Sequence, residues 1–250
     1  MTRQWAKHRS ACLTIVLATA GCGTTHNRQS EPSLRPSPSS KTASQPSKDL
    51  PPEKAAQVCF TVATELARKG YETEAIEQYE KAGKLDPRNA EVAHRLAVLF
   101  DRQGNVVRAQ TEYHRALEVS PNNPDLLNDM GYFAYERSNW TEAESWLRKA
   151  LAANPKHDRA CVNLGMALAQ QGKVEEALAT FSKVVTPAQA QANVGMILAQ
   201  RGRIQDARKA FKESLNHDPD SKVVHAALAA LERTSPAKGD SSFTAASTVK

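Results

Sequence analysis

The chain has 250 residues, a length that suits one or two domains, and 24% of them are charged while only 6% are aromatic. Its formal net charge of +6 comes from the two ends, because residues 53–235 hold 24 Lys and Arg against 24 Asp and Glu. A nucleic-acid partner needs a clustered basic surface, so the neutral central region excludes nucleic acid from the expected partners. Abundant Ala and Leu, with few β-branched runs, predict helices rather than strands.

The first 21 residues have the features of an export signal. Arg3, Lys7 and Arg9 give a positive start without acidic residues, and the apolar run 11–20 follows. As a helix this run spans about 15 Å, which is half of a bilayer core. It therefore predicts a secretory signal rather than a membrane span.

Two processing events are open at the end of this run. The sequence Ala18-Thr19-Ala20 is a small-x-small cleavage site, which would release a soluble protein. The overlapping Thr19-Ala20-Gly21-Cys22 resembles the lipobox of bacterial lipoproteins, in which the cysteine receives diacylglycerol and becomes the mature N-terminus. It departs from that motif at Thr19, where lipoproteins usually carry an apolar residue. We expect lipidation at Cys22, with plain cleavage after Ala20 as the alternative.

Two segments, 22–52 and 234–250, are expected to be disordered. In residues 23–52, six of the thirty residues are Pro and seven are Ser, and such a segment buries too little apolar area to fold. If Cys22 carries a lipid, this segment is a tether that holds a folded domain away from a membrane. The tail 234–250 has the same character.

A spaced set of small and large residues recurs between these segments. Two small residues stand twelve positions apart, and the second of each pair steps along the chain by 34, 34, 34 and 30 residues: Ala63/Ala75, Ala97/Ala109, Gly131/Ala143, Gly165/Ala177 and Gly195/Ala207. A large residue follows four positions later: Tyr79, Tyr113, Leu147, Phe181 and Phe211. Glycine in mid-unit ends one helix, and proline closes the unit because it cannot continue the second helix.

This pattern resembles the tetratricopeptide repeat (TPR) family, whose units are 34-residue helix–turn–helix hairpins. The resemblance implies an all-α TPR superhelical solenoid of about five repeats, with a concave groove lined by the first helices. The predicted units are 56–89, 90–123, 124–157, 158–187 and 188–221 within a domain 53–233, and 222–233 is a closing helix. The fourth unit lacks four residues, so its second helix, or the connection after it, is expected to be shorter. A functional kink and a tolerated deletion both remain open there.

No catalytic motif accompanies the repeats. The chain lacks GxSxG, HExxH and a phosphate-binding glycine loop, and its cysteines and histidines do not have the spacing of a metal site. We therefore expect no enzyme activity, no catalytic or metal-binding residues, no cofactor and no small-molecule substrate. Cys59 and Cys161 stand at the same repeat position and are expected to be separate buried residues. The histidines are scattered, with His94, His114, His157 and His225 on different units, and most of them are expected at the surface.

The remaining candidate is a binding surface, and the TPR resemblance implies which positions line it. In this sequence they are His94, Arg95, Arg102, Asn128, Asp129, Tyr132, Tyr135, Arg159, Asn163, Met166, Asn193 and Met196. Tyr, Asn and Arg together are typical of peptide-binding surfaces. The alternative is that the asparagines are common repeat residues and the tyrosines serve packing. Phe60 and Thr64 stand where TPR proteins that grip chaperone C-termini carry Lys and Asn, so that partner is not expected.

These features together predict a lipid-anchored scaffold of the bacterial cell envelope that binds another protein or a peptide. In architecture the chain is similar to bacterial TPR lipoproteins, which include pilus-assembly and secretion-system factors. In a Gram-negative source the expected place is the outer membrane, on its periplasmic side. A soluble periplasmic or secreted adaptor, or a regulatory subunit of an envelope enzyme, is the alternative.

Overall fold

A computed structural model describes residues 50–234, and every regular element in that range is an α-helix. The expected signal 1–21, nearly all of the 22–52 segment and nearly all of the tail lie outside the described residues. The helices are α1 (Pro52–Arg68), α2 (Glu72–Leu85), α3 (Ala90–Arg102), α4 (Val106–Val119), α5 (Pro124–Glu136), α6 (Trp140–Ala153), α7 (Asp158–Gln171), α8 (Val174–Phe181), α9 (Pro187–Gln200), α10 (Ile204–His217) and α11 (Lys222–Thr234). The prediction of an all-α fold is confirmed.

The described residues form two compact bodies, and the boundary between them lies inside α7. The N-terminal body comprises residues 50–167 and the C-terminal body comprises residues 168–234. In the N-terminal body α1 packs on α2, α3 on α4 and α5 on α6, while α2 and α4 also contact the first helix of the next repeat. In the C-terminal body α9 packs on α10, and both contact α11.

The small residues lie where the two helices of a repeat cross. In the N-terminal body, a Cβ added at Gly131 would lie 2.6 Å from Cγ of Leu147. In the C-terminal body, a Cβ at Gly195 would lie 2.7 Å from Cε1 of Phe211. In the third and fifth repeats the large residue of the pattern therefore packs against the small residue of its own repeat. In addition, Tyr113 contacts the following repeat, with its ring centroid 5.3 Å from that of Phe133.

Side chains at the last position of several repeats cap the next first helix. Asn89 Oδ1 accepts a hydrogen bond from the backbone N–H of Val92, and Asn123 Oδ1 accepts one from that of Leu126, at 3.2 Å in both cases. An N-cap of this kind satisfies a backbone donor that the first helical turn leaves unpaired. These caps fix where each first helix begins, and hence which of its residues share a face.

The fourth repeat loses its residues from the second helix. α8 has 8 residues, whereas α10, the second helix of the fifth repeat, has 14. A turn follows α8, and Thr186 then forms a capping box with Gln189 ahead of Pro187, the first residue of α9. Of the two expected places for the deletion, the structure therefore selects the helix.

The third repeat turns without the glycine that the other four use. Gly70, Gly104, Gly172 and Gly202 have positive φ angles, and Ser138 takes the same conformation with φ of 62°. Left-handed backbone is unfavourable for a residue that carries a Cβ. The turn between α5 and α6 is therefore strained relative to its counterparts.

Both cysteines in the described range are buried, and they form no disulfide with each other. Cys59 and Cys161 are each 2% exposed. They behave as small apolar residues of the core.

Candidate binding face

A line of hydrogen bonds joins the first helices of repeats two, three and four. His94 Nε2 on α3 donates to Asp129 Oδ2 on α5 at 2.8 Å. Asn128 Nδ2 donates to Asp129 Oδ1 at 3.0 Å, and Asn163 Nδ2 on α7 donates to Asn128 Oδ1 at 2.9 Å. We term these four residues the polar ladder. All four belong to the N-terminal body.

The polar ladder is largely shielded from water. Asn128 is 2% exposed, and the His94 side chain is 15% exposed. Hydrogen bonds strengthen where the local dielectric is low, provided that each group finds a partner. The ladder therefore holds α3, α5 and the start of α7 at a fixed spacing, and it supports the side chains that α5 presents beside it.

Three aromatic side chains continue this face across the turn from α5 to α6. The rings of Tyr132 and Tyr135 are stacked, with centroids 6.1 Å apart and planes 16° apart. The Tyr135 ring lies 5.2 Å from that of Trp140, the first residue of α6. We term these three residues the aromatic row. Tyr132 is 41% exposed, so its ring offers apolar area to a partner.

The hydroxyl of Tyr132 lies in an acidic setting. Burial, followed by the charge of Glu136 and a hydrogen bond with it, raises the pKa of Tyr132 to about 12. Asp101 adds to this effect from α3. The guanidinium group of Arg137, the residue after Glu136, pairs with Asp101. It also donates to the Phe133 carbonyl and lies over the Phe133 ring.

At the N-terminal end of α5, Asp125 binds two basic side chains. Arg159 Nη2 donates to Asp125 Oδ1 at 2.6 Å, and His157 Nε2 donates to the same oxygen at 3.2 Å. Burial alone would raise the pKa of Asp125, but hydrogen bonds from His157 and Arg159 hold it below its usual value.

The expectation of a surface position is wrong for His157, which is 8% exposed. Its Nδ1 accepts a hydrogen bond from the backbone N–H of Ala160, so this histidine is the N-cap of α7. Asn89 and Asn123 are N-caps of first helices at the same repeat position as His157. A side chain that caps a helix packs against that helix, which explains why His157 is buried. Because Nδ1 accepts the hydrogen bond from Ala160, the ring hydrogen lies on Nε2, which faces Asp125.

The structure brings six of the predicted groove residues together. His94, Asn128, Asp129 and Asn163 are in the polar ladder, and Tyr132 and Tyr135 are in the aromatic row. Arg159 and Arg102 lie at exposed positions in ion pairs, the latter 3.6 Å from Glu72. Such exposed pairs contribute little to stability.

Two predicted groove residues are more buried than a contact surface requires. Met166 is 4% exposed, and the prediction of an accessible side chain is wrong there, because a long apolar chain gains more from packing than from facing water. Asn193, in the C-terminal body, is 5% exposed, and its Nδ2 has no hydrogen-bond partner. A buried donor without a partner costs free energy.

Trp140 belongs to this face but was not among the predicted residues. The groove positions of the TPR resemblance cover only first helices, and Trp140 begins a second helix. Its type nevertheless carries a signal, because the other repeats have Glu72, Val106, Val174 and Ile204 at that position. An aromatic residue there is peculiar to the third repeat.

Residues 50–234 contain neither a metal-binding cluster nor a membrane-spanning helix. No group of three or more His, Cys, Asp or Glu side chains in that range is placed to hold a metal ion. Nor is any helix in that range long and apolar enough to cross a membrane.

Sequence comparison identifies the repeats. Profiles of the tetratricopeptide repeat match residues 56–89, 94–158, 134–201 and 188–221. No protein of curated function matches the chain.

Structure comparison finds the same fold. The crystal structure of YrrB, described as a TPR protein with an unusual peptide-binding site, is 23% identical with a TM-score of 0.56, over 69% of this chain and 91% of YrrB. PilF of Pseudomonas aeruginosa is 22% identical with a TM-score of 0.55, over 74% of this chain and 94% of PilF. PilW, described as a type IV pilus biogenesis factor, is 22% identical with a TM-score of 0.58, over 72% of this chain and 87% of PilW.

The fold therefore defines a helical repeat protein built from paired antiparallel helices. The chain belongs to the tetratricopeptide repeat family.

Proposed function

We propose that this chain is a non-catalytic scaffold that binds a segment of another protein through the face formed by the polar ladder and the aromatic row. The observation that carries the proposal is the half-exposed Tyr132 ring, stacked on Tyr135 and placed beside buried amides that the ladder holds in position. Rigid aromatic area next to fixed polar groups is what binding hot spots share.

The repeats themselves provide an internal comparison. Positions that pack helices keep their type from repeat to repeat, as Ala75, Ala109, Ala143, Ala177 and Ala207 do. At the positions of Tyr132 and Tyr135 the other repeats carry no aromatic residue; the first repeat, for example, has Thr64 and Ala67 there. Folding the repeat does not require these tyrosines, which supports a role in binding.

The peptide-binding site in the description of YrrB supports a peptide or a protein segment as the partner class.

The setting that we propose is the bacterial cell envelope, with the chain anchored through a lipid on Cys22. The support is the sequence before and after Cys22, and the descriptions of PilW and similar TPR proteins are in keeping with a role in assembling an envelope machine such as a pilus or secretion system. A soluble periplasmic or secreted adaptor, cleaved after Ala20, is the alternative. Mass spectrometry of the mature N-terminus from the native host separates the two.

The binding proposal is tested with two tyrosine variants in the same body. Tyr132→Ala removes the exposed ring of the aromatic row, whereas Tyr71→Ala removes a ring of similar exposure, 52%, at the start of α2. Partner recovery from envelope extract is measured for both variants and for the parent. Loss of a hot-spot residue typically costs 2 kcal/mol or more, or about 30-fold in affinity. Equal recovery with Tyr132→Ala and Tyr71→Ala would place the binding surface elsewhere.

A further inference from the structure

The aromatic row is confined to the third repeat. At the position of Tyr132 the other repeats carry Thr64, Val98, Met166 and Met196, and at that of Tyr135 they carry Ala67, Asp101, Ala169 and Ala199. None of the four has an aromatic residue at the position of Trp140. The aromatic row is therefore not part of the packing pattern that the repeats share. We expect it to bind a ligand with a surface suited to aromatic rings.

The backbone beneath the row is also peculiar to this repeat. Ser138 has φ of 62° in the turn that joins Tyr135 to Trp140, where the other repeats have glycine. A non-glycine residue in left-handed backbone raises the energy of the folded state, and such residues concentrate at ligand-binding positions.

The charges at the row favour a cationic ligand. The side chain of Glu136 is exposed, and it stands on α5 four residues after Tyr132, about one helical turn away. The nearest guanidinium, that of Arg137, is held by Asp101 and Phe133. A basic side chain that reaches Glu136 would therefore meet a net negative field.

A row of aromatic rings suits a ligand in the polyproline II conformation. Such a segment has no internal hydrogen bonds and keeps its backbone solvated, and proline has no N–H that a partner must satisfy. Proline-rich segments accordingly dock on surfaces lined by aromatic residues. The expected ligand combines prolines with a basic residue.

This chain contains a segment with that chemistry. Residues 33–40 read Ser-Leu-Arg-Pro-Ser-Pro-Ser-Ser, with Arg35 directly before Pro36 and with Pro38 two positions later. The wider segment 23–52 holds four basic residues against two acidic ones. Its positive charge complements the acidic aromatic row.

The segment is also long enough to reach the row. It joins the described helices at Pro52, the first residue of α1. Tyr135 lies eleven residues after the start of α5, or about 17 Å along that helix. The hydrogen bond from His94 on α3 to Asp129 on α5 shows that the first helices of these successive repeats are neighbours. With the same arrangement between α1 and α3, two spacings of about 8–10 Å separate α1 from α5. Fourteen residues, from Pro38 to Pro52, cover about 43 Å in polyproline II, which exceeds the distance required.

We propose that the aromatic row binds residues 33–40 of its own chain, with Arg35 beside Glu136. The inference rests on the proposed function in one respect, because Tyr132 and Tyr135 also belong to the proposed binding face.

The test uses the full chain with one added reporter. Cys12→Ser and Cys22→Ser remove the cysteines outside the described residues, and Ser39→Cys accepts a bimane fluorophore, which tryptophan quenches on contact. Trp140→Leu removes the quencher from the row. Trp146→Leu is the matched control, because Trp146 lies on α6 outside the row, with Lys149 Nζ 4.0 Å from the centroid of its ring.

Effective concentrations of tethered segments are about millimolar, enough to populate a weak contact. Bimane emission should therefore rise about twofold or more in Trp140→Leu, while Trp146→Leu leaves it unchanged. Replacing Pro36 and Pro38 by glycine should give the same rise, without any change in the folded part. Emission should not depend on protein concentration.

Several results would overturn the inference. Equal emission from the parent, Trp140→Leu and the proline variant would show that the segment does not dock. Quenching that disappears on dilution would mean that the segment of a second copy occupies the row. Partner binding is not part of this readout, so loss of partner by Tyr132→Ala without any quenching would retain the proposed function and reject the docking.

Discussion

Gly195 allows the packing of the fifth repeat to be tested with one methyl group. A Cβ added there would lie 2.7 Å from Cε1 and 2.8 Å from Cδ1 of Phe211. The ring is 1% exposed, so it cannot move into solvent. Overpacking of this kind costs about 1–3 kcal/mol, while alanine regains up to about 1 kcal/mol of helix propensity. We expect Gly195→Ala to lower the free energy of unfolding by about 1–2 kcal/mol.

Gly83 provides the matched control, since it is also a buried glycine within a helix. A Cβ at Gly83 would lie 3.3 Å from Arg115 Nη2 and 3.4 Å from Val92 Cγ1. The first neighbour is the far end of a flexible side chain, and the second is at an ordinary contact distance. Gly83→Ala should therefore keep its gain in helix propensity and raise the free energy of unfolding by about 0.5–1 kcal/mol.

Urea unfolding followed by circular dichroism measures both variants against the parent. The free energies of unfolding of Gly195→Ala and Gly83→Ala should differ by about 2 kcal/mol, which corresponds to about 4–8 °C in Tm for a domain of this size. The dependence of the free energy of unfolding on urea concentration should be the same in the variants and the parent. A changed dependence would indicate loss of cooperativity within the repeats. Equal stability of Gly195→Ala and Gly83→Ala would refute the close approach of α9 and α10. In the Gly195→Ala background, Phe211→Leu should cost less than it does alone.

Four further substitutions have signs set by the structure. Ser138→Gly relieves left-handed backbone and should stabilise the chain by up to about 1 kcal/mol, whereas Gly104→Ala, at φ of 74° with no atom near its Cβ, should cost about 1–2 kcal/mol. Arg159→Ala should destabilise the chain at pH 7 by allowing the pKa of Asp125 to rise toward its usual 3.8. Asn193→Leu should stabilise it by about 1 kcal/mol, because it removes a buried donor without a partner.

Thermal melts of the variants check all four predictions. The depressed pKa of Asp125 contributes stability above the unfolded-state value, and this contribution is lost as the pH falls through the folded-state value. The difference in Tm between Arg159→Ala and the parent should therefore become smaller from pH 7 to pH 3. A difference that stays constant would contradict a stabilising pair of Asp125 and Arg159. Asn128→Leu is the control for Asn193→Leu. It breaks two hydrogen bonds of the ladder and should lower Tm, so equal effects of the two variants would argue against an unpartnered Asn193.

The helices were predictable because each repeat carries small and large residues at the same packing positions. Ala75 and its counterparts, with Tyr79 and its counterparts, mark each crossing of two helices, and agreement across five repeats outweighs any single ambiguous residue. The place of the deletion was not predictable between its two alternatives. Local propensity does not show that Phe181 ends α8, since the following residues could extend a helix until Pro187.

The binding face was predictable only in part. Position within the repeat identified Tyr132, Tyr135 and Asn163, because a 34-residue period carries each of them to a known side of a first helix. It did not show that Asn163 bonds Asn128, which depends on side-chain geometry. For His157 the repeat position matched a capping asparagine, but histidine is a less usual cap, so its burial was missed.

The two buried cysteines have a consequence for the processed protein. In a chain cleaved before Cys22 and lipidated there, Cys12 is lost and Cys22 is blocked, so Cys59 and Cys161 are the remaining thiols. Each reacts with a thiol reagent only when its own repeat opens. Their labelling rates in the unmodified protein thus report opening of the first and fourth repeats separately. Binding of a partner to the face between them should slow both reactions by the same factor if these repeats open together, and unequally if they open independently.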